Sequence, residues 1–284
     1  SAHQSVACYD TALQQKHEEA QNFEREVVTA AREQRFSFDF QPIVNVEANR
    51  TVSFEMLVRW HHPELGTIPP DQFLPVINQL RLAPRLDRLL ITAAEHALKR
   101  LDAAGLEHVG LSINISPDAL STPDIADRLR WLAEYNTVDP DRIAIEVLES
   151  TALITGGNDL PIRLISQLRE AGFDVFLDDF GMGYAGLAHL ASVPTDGLKV
   201  DRALTAAVDT DAASHAIVCA LIRLARELGM RVVAEGVETL AQLEILQDAG
   251  CYMFQGYFVA PPMPSDGAIA WVHDSPKSST SDGG

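Results

Sequence analysis

The chemistry offered by this sequence lies in Glu55, Asn114, Glu146, Asp178, Asp179, Lys199, Glu235 and Gln255. Each sits near the C-terminal end of a short, mostly apolar run, in SFEMLVRW, HVGLSINIS, RIAIEVLES, FDVFLDDFG, DGLKVD, RVVAEGVE and CYMFQGYFVA. A lone acid at a strand end is most often a cap or a surface group, and Asp-Asp before Phe-Gly is by itself only a turn. The combination carries the weight. Carboxylates converging on one mouth cannot all ionise without a counter-charge. Asn114 adds a neutral oxygen, and an all-oxygen donor set suits Mg2+ or Mn2+ rather than zinc. Adjacent aspartates can serve two neighbouring ions, one residue bridging and one terminal, as in two-metal phosphoryl transfer. Lys199 in LKVD reads by itself as a strand-end lysine paired with Asp201.

The elements that must hold these residues alternate. FSFDFQPIVNV and RTVSFEMLVRW flank EAN and read as a hairpin. Helices follow at about 71–79 and 84–104, and from there strand and helix patterns repeat to CYMFQGYFVA. Such units give parallel strands with helical crossovers. A closed barrel and an open doubly wound sheet both fit. The polar residues favour the barrel, because its strand ends form one ring around one mouth. The expected fold is therefore an α/β, TIM-like (β/α)8 barrel, modified by one strand of the opening hairpin running the other way. In SFEMLVRW the period of two puts Phe54, Met56, Val58 and Trp60 on one face and Ser53, Glu55, Leu57 and Arg59 on the other. In SHAIVCALIRLARELG it is Ile217, Leu221, Leu224 and Leu228 that share a face.

Residues 1–35 read as a polar linker helix, 36–272 as the barrel and 273–284 as a disordered tail. The sequence has 284 residues and a net charge of −18. An acidic surface disfavours nucleic acid and anionic membrane. It can still take an anionic ligand if a divalent cation reverses the local field. No apolar run reaches the roughly 18 residues of a membrane helix. Cys8, Cys219 and Cys251 make an odd set with no C-x-x-C, which favours a reducing, cytoplasmic location. HHPELG, containing His61 and His62, has turn character rather than that of a metal site. Gly181 and Gly183 around Met182 mark a mobile or tight loop, and no P-loop or dinucleotide fingerprint occurs.

FQPIV, FEMLVRW, INIS, IEVLES, LDDFGMGY, LKVD, AEGVET and QGYFVAPP occur in that order between residues 36 and 264. In this the chain resembles the EAL-domain cyclic di-GMP phosphodiesterases. The resemblance implies a hydrolase that cuts cyclic di-GMP to linear pGpG with two Mg2+ or Mn2+ ions. It implies metal binding by Glu55, Asn114, Glu146, Asp178, Asp179 and Glu235, with Asp178 bridging. Lys199 would hold the attacking water and Glu235 would be the general base. Gln41, Leu57, Arg59, Asp201, Glu238, Gln255, Gly256 and Pro261 would contact substrate, and Glu149 would steady the loop after Asp179. A homodimer and an upstream sensor or cyclase-like domain are implied partners, and the whole protein could be membrane-anchored. The alternative within the family is a weak or inactive cyclic di-GMP sensor.

Departures are few. The naming triplet reads Glu55-Met56-Leu57, the catalytic loop reads DDFGMGYAG with Met182, Ala185 and Gly186, and INQLRLA at 77–83 replaces an acidic segment. None removes an implied ligand.

Overall fold

The computed structural model describes residues 2–121, 124–135, 138–153, 160–181, 190 and 193–274. It divides into two compact units, residues 1–37 with 58–86, and residues 38–57 with 87–284. In chain order the elements are α1 (Ala2–Glu33), β1 (Phe36–Asn45), β2 (Arg50–His62), β3 (Gly66–Ile68), α2 (Pro70–Gln79), α3 (Ala83–Ala103), β4 (Gly110–Ile115) and α4 (Asp124–Tyr135). They continue with β5 (Ile143–Leu148), α5 (Glu149–Leu153), α6 (Leu160–Glu170), β6 (Asp174–Phe180), β7 (Gly197–Val200), α7 (Arg202–Ala206) and α8 (Ala212–Glu227). The last are β8 (Arg231–Ala234), α9 (Leu240–Asp248), β9 (Met253–Phe254) and α10 (Ser265–Asp274).

In the first unit an aromatic group forms the core. Trp60 stands edge-on to Phe73 and tilted to Phe23 and Phe36, with centroids 5.5–6.0 Å apart. The β2–β3 hairpin pairs Trp60 with Ile68 and His62 with Gly66. His62 Nδ1 accepts the backbone N–H groups of Glu64 and Leu65, and His61 contacts Thr67 Oγ1. Both histidines thus serve the turn, as HHPELG suggested.

The second unit is the barrel. Its strands hydrogen-bond in the order β1-β9-β8-β7-β6-β5-β4-β2, and β1 pairs again with β2, closing eight strands into a ring. β1 runs antiparallel to β9, while β2 and β4 through β9 pair in parallel. The one reversed strand is the expected one, because a hairpin with a short turn can only join antiparallel neighbours.

The two faces of each strand do different work. On β5, Ile143, Ile145 and Val147 are fully buried in the large core between strands and helices. Each such side chain withdrawn from water stabilises by about 1.5–3 kcal/mol. The alternate residues Ala144 and Glu146 face inward. Below the mouth, Ile43, Phe176 and Val233 fill the barrel's interior with an apolar cluster of their own.

Two sequence expectations need correction. On α8 the buried stripe is Val218, Leu221, Ile222 and Ala225, while Ile217 and Leu228 are exposed. The two stripes share Leu221 and differ by one helical step, so the more β-branched and smaller set packs on the barrel. The long final strand is only Met253–Phe254, because Gly256 turns the chain. Helix α10 runs to Asp274, and residues 275–284 lie outside the described residues. So do residues 182–189, which contain the expected glycine loop and most of the expected short helix YAGLAHLAS.

Candidate active site

Lys199 is the centre of the site. All four residues of β7 are buried, and Lys199 is 1% exposed. Its Nζ lies 2.9 Å from Glu146 Oε1, 3.0 Å from Glu55 Oε2, 2.5 Å from Glu235 Oε1 and 3.7 Å from Asp178 Oδ1. These partners come from β2, β5, β6 and the end of β8. The alternative pairing of Lys199 with Asp201 is therefore set aside. Asp201 instead caps α7, accepting the Ala203 N–H at 2.7 Å.

Amides hold the acids from the side. Glu55 accepts Asn114 Nδ2 at 2.8 Å on one oxygen and Gln255 Nε2 at 2.6 Å on the other. Gln255 Nε2 also donates to Gln41 Oε1 at 3.0 Å, and Gln41 Nε2 donates to the Ala260 carbonyl at 3.1 Å. Strand register explains the convergence: Asn114 pairs beside Glu146, and Leu148 beside Asp178.

Asp178 and Asp179 need a special device, since successive strand residues point to opposite faces. The β6–β7 pairing slips between Leu177 and Phe180, and Asp179 adopts φ +53°. This bulge turns both acids to one side. Carboxylate oxygens of Asp178, Asp179 and Glu235 can then lie within 4.8 Å of one another.

The electrostatics follow from one ammonium among these acids. Burial would lower the Lys199 ammonium, but Glu146, Glu235 and Glu55 hold it well above the usual lysine range. Burial also raises the carboxyls. Glu146 is pushed well above its usual range, with Glu55 adding to the shift, and Asp178 is raised. Asp179 is pushed up to about 6 by burial and then by Asp178, and Glu235 to about 8 by burial against the pull of Lys199. Glu55 alone is lowered, because Lys199, Gln255 and Asn114 together outweigh its burial. Glu146 Oε2 and Asp178 Oδ1 are buried and have no hydrogen-bond partner. Buried acceptors normally find one. A hard divalent cation would satisfy both oxygens and relieve the crowded charge, so the donor set fits such an ion.

The remaining expected residues are spread differently. Glu149 is buried and its Oε2 accepts the Gly181 N–H at 3.1 Å, at the end of β6. A Cβ at Gly256 would collide with the Val237 backbone. Leu57 is half-buried at the barrel end of β2, while Glu238 and Pro261 are exposed. Arg59 lies in the first unit, its Nη1 donating to the Val58 carbonyl at 2.9 Å. Two supporting residues were not anticipated. Ser112 donates its hydroxyl to Glu146, and the inward alternation of Ser112 with Asn114 in LSINIS was the available signal. Asp87 is 4% exposed and binds Ser116.

A closed α/β barrel with an acid-lined mouth around a buried lysine is the class of protein defined by this geometry. Residues 24–262 match the family model described as the EAL domain, and the chain belongs to that family. It is 31% identical over 269 residues to the cyclic di-GMP phosphodiesterase NbdA of Pseudomonas aeruginosa, covering 92% of this chain and 34% of that protein. It is 31% identical over 255 residues to the probable cyclic di-GMP phosphodiesterase PdeN of Escherichia coli, covering 87% of this chain and 47% of that protein. The chain thus spans a third to a half of these relatives. Among solved structures it is similar to the PaMucR phosphodiesterase in complex with c-di-GMP, with a TM-score of 0.80 and 31% identity over 87% of this chain and 99% of that one. Among the described residues no helix is long and apolar enough to cross a membrane.

Proposed function

We propose that this chain is a metal-dependent phosphodiesterase that hydrolyses cyclic di-GMP to linear pGpG. The observation that carries the reading is the ring of acids around Lys199, with buried carboxylate oxygens at Glu146 and Asp178 left without hydrogen-bond partners. Family membership and the likeness to a c-di-GMP-bound phosphodiesterase give the substrate class.

Glu55, Asn114, Glu146 and Asp178 would hold one ion, and Asp178, Asp179 and Glu235 a second, with Mg2+ or Mn2+ as the resident metal. When bound, such ions supply Lewis acidity, making water a nucleophile near neutral pH and neutralising charge on phosphoryl oxygens. The chain's residues do the rest. Lys199 orients the attacking water and faces the developing negative charge. Glu235 takes the proton of that water. The water oxygen bonds to phosphorus, the bond to the 3′ oxygen breaks, and that oxygen takes a proton from solvent water while Glu235 returns the attacking water's proton to solvent. Gln41, Leu57, Arg59, Asp201, Glu238, Gln255, Gly256 and Pro261 contact the dinucleotide, Arg59 at a phosphate. Glu149 steadies the loop that follows Asp179.

The same reading takes residues 1–35 as a linker helix, 36–272 as the catalytic barrel and 273–284 as a tail. It makes the active form a homodimer in the cytoplasm, within a longer protein bearing a sensor or cyclase-like domain. The partial coverage of both relatives supports that last point.

Chromatography of cyclic di-GMP incubated with the protein and Mg2+ or Mn2+ tests the reading. The expected product is pGpG, with no turnover in chelator. Glu55→Ala and Glu235→Ala should each lose at least ~100-fold, since each removes a ligand or base worth several kcal/mol. Tight cyclic di-GMP binding with no product after long incubation with metal would instead make this a sensor.

A further inference from the structure

Asp87 is a buried acid that the proposed chemistry does not use. It lies on α3, where the periodic pattern continues through Leu90, Ile91, Ala94 and Leu98, all in the barrel's main core. The stripe calls for an apolar residue at position 87, and an aspartate occupies it at 4% exposure. Among the described residues its hydrogen bonds go to Ser116. Oδ2 accepts the Ser116 hydroxyl at 2.6 Å and Oδ1 accepts the Ser116 N–H at 3.4 Å. Ser116 Oγ in turn accepts the Ala119 N–H at 3.2 Å, closing the turn that follows β4.

Ser116 stands two residues beyond Asn114, whose Nδ2 donates to Glu55 Oε1 at 2.8 Å. The charges around Asp87 do little to favour a carboxylate there: Arg88 assists it weakly and Asp118 opposes it, and burial pushes the carboxyl up to about 6. At neutral pH a group with a raised carboxyl pKa destabilises the fold. An asparagine would fill the same space without that burden, but it replaces one of the two acceptor oxygens with an NH2 donor, so the two Ser116 donors no longer meet two separately placed acceptors. The acid thus meets each Ser116 donor with its own oxygen.

We propose that Asp87 is a positioning residue: by gripping both donors of Ser116 from α3, it fixes the end of β4 and aims Asn114 at Glu55 and at the metal proposed there. The inference rests on the phosphodiesterase reading for its metal, but the aim of Asn114 can be read without one. Partners that orient metal ligands are worth about 10–100-fold in affinity or activity when removed.

The test uses the whole chain as wild type, Asp87→Asn, Asp87→Ala, Ser116→Ala and Asp118→Asn. In metal-free protein, NMR follows hydrogen exchange of the Asn114 side-chain amide. It should be protected in wild type and Asp118→Asn, and exchange at least ~10-fold faster in both Asp87 variants and Ser116→Ala. Calorimetry with Mn2+ should show at least ~10-fold weaker binding in the same three variants. Their kcat at low Mn2+ should fall and recover at high Mn2+, with KM for cyclic di-GMP unchanged. Asp87→Asn should melt no lower than wild type at pH 7, which separates positioning from a structural role. Unchanged Asn114 exchange in both Asp87 variants overturns the proposal. If wild type binds no Mn2+, the phosphodiesterase reading falls while the exchange measurement still decides Asp87.

Discussion

Glu55 and Lys199 are 144 residues apart in sequence and share a 3.0 Å contact inside the barrel. They sit on β2 and β7, on different sides of the ring, so the pair spans the mouth rather than following a strand. A buried lysine held by acids from opposite walls ties the site to the closure of the sheet.

Removing that lysine should leave buried carboxylates without their cation. Lys199→Met is expected to lower metal-free stability by about 3–5 kcal/mol at pH 8, the usual effect of breaking a buried pair. Near pH 5.5 the loss should be smaller, because the acids can take up protons. Mn2+ should restore part of the melting temperature at pH 8. Thermal denaturation at the two pH values, with chelator and with Mn2+, checks all three outcomes.

The raised carboxyls fix the sign of the pH dependence. Asp179 at about 6 and Glu235 at about 8 bind protons more tightly in the folded than in the unfolded chain. Metal-free stability should therefore fall as pH rises from the ordinary carboxylate range through 6 toward 8. Asp87, also at about 6, adds to the fall on the order of 1–3 kcal/mol. Glu55, with its lowered carboxyl, acts oppositely and costs stability only as the pH drops through its folded value. Mn2+ should flatten the decline, and its binding at pH 7 should release protons, measurable as a buffer-dependent heat. Melting temperatures that climb steadily from pH 6 to 8 in chelator would contradict the charge assignment.

Met56 offers a core substitution that should spare the chemistry. It is 2% exposed and belongs to the same apolar cluster as Phe54, on the face of β2 opposite Glu55. Met56→Ala should destabilise the fold by about 2–3 kcal/mol through lost contacts and a cavity. Turnover of cyclic di-GMP at 20 °C should stay within about twofold of wild type, because uniform core loss does not act on the transition state. A large fall in kcat with an intact melting transition would place Met56 in the site.

Gly256 is constrained by backbone, not by chemistry. At φ +154° its missing Cβ points at the Val237 peptide. Gly256→Ala should cost about 3 kcal/mol or more, since neither a strained φ nor a backbone collision can relax cheaply. Denaturant titration measures the loss, and an unchanged midpoint would show that the turn can adapt.

The parts of this molecule most legible in the sequence were those governed by strict period. Inward Glu55, Asn114, Glu146 and Lys199 stand out because a polar residue recurs where the strand is otherwise apolar. The helical stripe of α8 was less legible: Ile217 and Val218 are both good core residues, and only packing on the barrel selects between them. The shortness of β9 goes with Gly256, whose missing Cβ faces the Val237 backbone from another segment. Asp87 was written plainly as a charged residue on an apolar stripe, but its meaning depends on Ser116 in a distant turn. Arg59 follows Glu55 in the strand alternation, yet the chain passes into a different compact unit between Leu57 and Val58.

Residue identity at 178 and 179 is only half of what places two acids side by side. The other half is a count: β6 carries more chain between Leu177 and Phe180 than its neighbour β7 can match. A chain that kept both aspartates but gained one residue in β7 between Leu198 and Val200 would pair without the slip and still read LDDF in sequence. Its second acid would face the helices. In this barrel, arithmetic along one strand, and not composition, decides whether the mouth can grip a pair of ions.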